Sequence, residues 1–132
     1  AAPAPVVLVA HSLGCILTAW WASSAPPAVV GKVQAALLVA PGDVEQADLR
    51  QHLPGWVPIA RQRLPFAAVV VGSQNDPYCR LARAQQLAAD WGAQWVDAGA
   101  AGHINSASQL GDWPQGHALL QDLVKDSVHG KR

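Results

Sequence analysis

The sequence predicts an α/β domain in which a mostly parallel sheet lies between two layers of helices, a three-layer α/β/α sandwich. Three observations carry that expectation. Four apolar runs recur at 6–10, 35–40, 67–71 and 94–96, helix-like segments separate them, and the middle two runs are continuously apolar. Runs such as Ala35-Ala36-Leu37-Leu38-Val39-Ala40 and Ala67-Ala68-Val69-Val70-Val71 suit parallel strands covered on both faces, whereas a half-wet strand would alternate. With 132 residues, 51% hydrophobic and 14% charged, the chain can bury one core but not two, so 1–132 is expected to be a single domain.

Each element follows from local chemistry. The first run, Val6-Val7-Leu8-Val9-Ala10, breaks at His11-Ser12-Leu13-Gly14 into a helical stretch over 13–24. That helix stops at Ala25-Pro26-Pro27, because proline has no N–H to donate and clashes with the preceding turn. After the second run comes a proline-rich excursion over 41–65, expected to be irregular and to expose Leu53, Trp56, Val57 and Ile59. Loops that long in a compact domain usually serve as lids, caps or binding loops. The excursion leaves the carboxyl end of a strand, where open α/β sheets bind ligands, so Trp56, Val57 and Ile59 are candidate substrate contacts, the equal alternative being that they only pin the excursion down. In the helix expected over 81–91, Leu81, Ala84, Leu87, Ala88 and Trp91 share a face and Gly92 stops the run. In the last helix, over 115–128, Leu119, Leu120, Leu123 and Val124 form the apolar face.

Composition narrows the partners. The formal net charge is zero, so no basic field draws nucleic acid or an anionic membrane, and neither is expected as a partner. The apolar runs fall well short of the ~20 residues of a membrane-spanning helix, and Ala1-Ala2-Pro3-Ala4-Pro5 lacks the basic start of a secretion signal. A cytoplasmic location is expected. Cys15 and Cys79 fall in different elements and suggest buried, reduced thiols. No His or Cys pair has metal-ligand spacing, so neither metal nor cofactor is expected. Because no methionine occurs even at position 1, an upstream segment is expected.

Three strand ends carry the chemistry. Ala10-His11-Ser12-Leu13-Gly14 is a nucleophile elbow with alanine where glycine is usual, and such a turn raises a serine hydroxyl beside backbone N–H groups. A serine nucleophile needs a base within hydrogen-bond reach and a third group to orient that base. Ser73-Gln74-Asn75-Asp76-Pro77-Tyr78 follows the third run and supplies a carboxylate, while Gly99-Ala100-Ala101-Gly102-His103-Ile104-Asn105 follows the fourth and supplies an imidazole. The order Ser12, Asp76, His103 is that of α/β-hydrolases, and Leu13 N–H would be an oxyanion donor.

Each motif has a plainer meaning. A serine after a strand often caps a helix, Asp-Pro often starts a turn, and a Gly-His loop often holds a solvated histidine. All three together are hard to obtain by accident. Asp43 and Asp97 also leave strand ends and rank behind Asp76 as the acid. The His11 ring is expected to diverge from Ser12 Oγ and be structural, with His52, His117 and His129 solvated.

With Val9-Ala10-His11-Ser12-Leu13-Gly14-Cys15, Asn75-Asp76-Pro77-Tyr78-Cys79, Gly102-His103-Ile104-Asn105 and Trp113-Pro114-Gln115-Gly116, the chain resembles the small serine hydrolases of the YdeN-like and retinoblastoma-binding-protein type. The resemblance runs from position 6 to about 120. It implies an α/β-hydrolase-like fold, a catalytic triad of Ser12, Asp76 and His103, and hydrolysis of a small ester or amide substrate. It also implies an earlier strand and a glycine-rich loop bearing a second oxyanion donor, so this sequence is expected to be N-terminally truncated, weakly active, and prone to self-association through an exposed edge strand. A weakly catalytic or non-catalytic binding module on the same fold is the alternative.

Overall fold

The computed structural model describes residues 6–105 and 113–128. Strands β1 (Val6–His11), β2 (Val33–Val39), β3 (Ala67–Gly72) and β4 (Gln94–Asp97) form one sheet in the order β1-β2-β3-β4. Every neighbouring pair is parallel, with Leu8 beside Ala36, Leu37 beside Val69 and Val71 beside Val96. The helices are α1 (Leu13–Ser24), α2 (Pro27–Val30), α3 (Ala47–His52), α4 (Leu81–Trp91) and α5 (Pro114–Val128).

The continuous apolar runs of the inner strands are explained by the two layers. Ala36, Leu38, Ala68 and Val70 turn to one face, where Cys15, Ile16 and Ala19 of α1 meet Leu87, Ala88 and Trp91 of α4. Ala35, Leu37, Val39, Val69 and Val71 turn to the other, packing with Ile104 and with Leu119, Leu120 and Leu123 of α5. Alternate residues thus feed separate apolar clusters, and a full Val or Leu burial contributes about 1.5–3 kcal/mol. Strand β1 lies at the sheet margin, with Val9 60% exposed.

Two expectations change. Pro26-Pro27 ends α1 but also starts α2, since proline at the first helical position gives up an N–H that has no partner there anyway. The excursion over 41–65 is not irregular throughout: it contains α3 and a short 3₁₀ turn, Pro54–Trp56. Nor is it loose. Trp20 stacks on Trp56 with ring centroids 5.6 Å apart and donates from Nε1 to the Pro58 carbonyl at 2.9 Å. Trp91 Nε1 donates to the Ala60 carbonyl at 2.7 Å, Leu64 N–H to the Trp91 carbonyl at 2.9 Å, and Ile59 N–H to Glu45 Oε2 at 2.9 Å. Glu45 also pairs with Arg61 and Arg83, tying the excursion to α4.

Candidate active site

The elbow is where β1 becomes α1. Ser12 has φ 58 and ψ −119, a left-handed backbone that is costly for a residue with a Cβ. The Ser12 N–H donates to the Val39 carbonyl at the end of β2 at 3.0 Å, and Cys15 N–H donates to the Ser12 carbonyl at 3.0 Å. Alanine at position 10 is accommodated without crowding: even a Cβ built on the facing Gly14 would stand 3.5 Å from Ala10 Cβ, ordinary contact. The Ser12 side chain makes no capping bond to α1, which removes the plain N-cap reading.

Ser12 Oγ lies 2.8 Å from His103 Nε2. The other imidazole nitrogen, Nδ1, lies 3.0 Å from Asp76 Oδ1 and 2.9 Å from Oδ2. A carboxylate only accepts, so Nδ1 carries the proton and donates, leaving Nε2 as the acceptor for the serine hydroxyl. The His103 side chain is 10% exposed and that of Asp76 2%, so the pair is shielded from water. Asp76 also keeps its turn role, since Oδ1 accepts the Tyr78 N–H at 2.9 Å. The Leu13 N–H, proposed as an oxyanion donor, opens the first turn of α1, where backbone N–H groups have no partner within the helix.

Asp43 and Asp97 do not face His103. Asp43 accepts the Glu45 N–H at 3.1 Å and pairs with Arg83 at 3.5 Å. Asp97 accepts the Gln74 side-chain amide at 3.1 Å and the Gly99 N–H at 2.8 Å, bonds that hold its carboxyl below the usual range. Of the expected substrate contacts Trp56, Val57 and Ile59, burial corrects Ile59, while the half-buried Trp56 and Val57 fit the alternative of pinning the excursion down. Ile59 is 3% exposed and belongs to the core, with Trp56 and Val57 packed against the same cluster, because the excursion folds back onto α1 and α4. His52 and His117 are exposed as expected, whereas His129 lies outside the described residues.

Two contributors escaped sequence reasoning. Ser73 Oγ accepts the Ala101 N–H at 2.9 Å and donates toward Asn75 Oδ1 at 3.0 Å, with the Gly99 carbonyl at 3.2 Å. Asn75 Oδ1 accepts the Gly102 N–H at 2.7 Å. Together they clamp the loop over 99–102 that delivers His103. Their only signal was small polar residues immediately before Asp76. Cys15, expected to be a buried thiol, lies under the elbow with Sγ donating to the Val39 carbonyl at 3.4 Å; burial raises its pKa well above the usual thiol range.

A parallel sheet between helical layers, with the strained serine turn after one strand and an aspartate and a histidine after later ones, defines the α/β-hydrolase class of fold. Residues 1–122 match the serine hydrolase family, and the chain belongs to it. Among solved structures it is similar to a YdeN-like hydrolase from Pectobacterium atrosepticum, with 27% identity and a TM-score of 0.77 over 93% of this chain and 61% of that one. It is also similar in fold to the enol-lactonase of Burkholderia xenovorans, at 13% identity and a TM-score of 0.63, covering 92% of this chain and 66% of that one. The chain therefore spans less than two thirds of the first relative's length. No curated protein matches the sequence.

Proposed function

We propose that this chain carries the catalytic triad of a hydrolase that cleaves a small ester, or an amide, through an acyl-enzyme. The observation that carries the reading is the continuous relay from Ser12 Oγ through His103 to Asp76. His103 Nε2 takes the hydroxyl proton as Ser12 Oγ attacks the carbonyl carbon, and the Leu13 N–H stabilises the oxyanion that forms. The imidazolium returns its proton to the leaving alcohol or amine as that bond breaks. Water then attacks the acyl-serine and gives a proton to Nε2, and the imidazolium returns a proton to Ser12 Oγ as the Oγ–acyl bond breaks and the acid is released. Asp76 holds the tautomer and stabilises the charged ring throughout. The free, buried Cys15 and Cys79 support a reducing, cytoplasmic setting.

Labelling by a fluorophosphonate tests the reading. Wild-type protein is expected to label at Ser12 and turn over p-nitrophenyl acetate, with both lost in Ser12→Ala. A folded wild type that does neither overturns it. The relay geometry favours this reading over a non-catalytic binding module, which needs no bonded Ser-His-Asp arrangement.

A further inference from the structure

We propose that His11 is a positioning residue for His103, fixing the base from the elbow side; the inference rests on the serine-hydrolase reading above. His11 Nε2 lies 2.8 Å from the His103 carbonyl oxygen. A carbonyl only accepts, so Nε2 carries a proton and donates. The two imidazoles also pack, with centroids 4.8 Å apart and planes tilted by 55°, while the Tyr78 ring meets the His103 ring at 4.7 Å and 63°. His103 thus has an aromatic neighbour from the elbow and another from the carboxylate loop.

The loop needs such a hold. Gly102 at φ 60 and Ile104 at φ 51 flank His103, so no regular ladder can run through it. Asn75 and Ser73 secure the backbone just before His103 through the Gly102 and Ala101 N–H groups. His11 secures the carbonyl of His103 itself. Because His11 adjoins Ser12 on the chain, the end of β1 sets the position of both partners in the Oγ to Nε2 bond. The registration is local rather than relayed across the sheet. Reaction rate is sensitive to misplacement of reacting groups by a fraction of an ångström, whereas a hydrogen bond on an exposed side chain adds little to stability. Rate and stability should therefore respond differently.

The test compares His11→Leu, His11→Asn and His11→Gln in the full chain, reading kcat and KM on p-nitrophenyl acetate beside thermal melting. Glutamine places an amide N–H at about the reach of Nε2; asparagine is polar but too short, and leucine cannot donate. The Leu and Asn variants are expected to lose about threefold to thirtyfold in kcat with KM and melting nearly unchanged, and Gln to recover most of the rate. Wild-type kcat in both the Leu and Asn variants, no recovery with Gln, or losses that track melting overturns the role of His11. A wild type that neither labels with fluorophosphonate nor turns over ester overturns the hydrolase reading, and this inference with it.

Discussion

Replacing Asp76 with asparagine should stop the reaction while leaving the fold in place, for a reason that can be worked atom by atom. Oδ1 accepts the Tyr78 N–H at 2.9 Å, so the asparagine must keep its carbonyl oxygen there; turning the NH₂ inward would set two donors against each other in a side chain 2% exposed. The NH₂ then occupies the Oδ2 position, 2.9 Å from His103 Nδ1; Oδ1 also lies 3.0 Å from Nδ1, but an Nδ1–H would stand donor against donor with the NH₂, so the NH₂ donates to Nδ1 instead. Nδ1 becomes an acceptor, the ring proton moves to Nε2, and Nε2 faces Ser12 Oγ as a donor that cannot take the hydroxyl proton. Fixing the wrong tautomer in a Ser-His-Asp site costs about 10⁴ in kcat, or about 5 kcal/mol of transition-state stabilisation. Ester turnover and fluorophosphonate labelling should fall together by about that factor, while circular dichroism melting changes little because the number of hydrogen bonds is preserved. A folded Asp76→Asn protein reacting within tenfold of wild type would refute the tautomer argument.

Three further outcomes are expected. Asn75→Ala removes the acceptor for the Gly102 N–H, an exposed bond, and should cost about 0.5–1.5 kcal/mol in urea denaturation with a larger proportional loss of ester turnover than melting alone explains. Burial and the nearby Asp43 and Asp76 push the Cys79 thiol up to about 12, so both thiols should resist a disulfide reagent at pH 8 in native protein and react in urea. The sign follows: with the folded pKa raised, stability is level below the unfolded thiol pKa of about 8.5 and falls toward pH 12 as unfolded thiols ionise first, a fall that Cys79→Ala should lessen. Among the described residues no strand pairs with the outer edge of β1, and Val9 is 60% exposed, so Val9→Lys should reduce concentration-dependent association in sedimentation; an association unchanged by it would remove the edge-pairing explanation.

The parts of the fold legible in sequence are those where burial dictates composition. Strands β2 and β3 announced themselves because both faces are covered, and α4 because Ala84, Leu87, Ala88 and Trp91 recur at helical spacing and are all buried. Ser12, Asp76 and His103 were legible because each motif follows a strand end and the parallel topology brings those ends to one edge. The excursion is only partly legible, for a physical reason. Its prolines signalled irregular backbone, while the partners that bury Ile59 and stack Trp56 come from α1 and α4, far away in the chain. The Ser73 and Asn75 clamp was hidden likewise: its value depends on which backbone N–H groups the His103 loop presents, and no spacing rule encodes that.

The strained residues connect these levels. Ser12, Ala40 and Ile104 all have positive φ without being glycine, and all lie just beyond strands or in the loop that follows one. Such conformations cost on the order of 1–3 kcal/mol each and persist only where their surroundings over-determine them. Here they do. The Ser12 N–H is held by Val39 and the Ala40 N–H by Val71, so the ends of β2 and β3 secure the turns beside them, and Ile104 is 7% exposed in the apolar cluster under α5. The left-handed turn at Ser12 lifts its hydroxyl off the strand, and the one at Ile104 lets the chain bury an anchor immediately after presenting His103. The doubly covered sheet thus supports two unfavourable backbone positions whose joint effect is a 2.8 Å contact between Ser12 Oγ and His103 Nε2, residues separated by most of the chain.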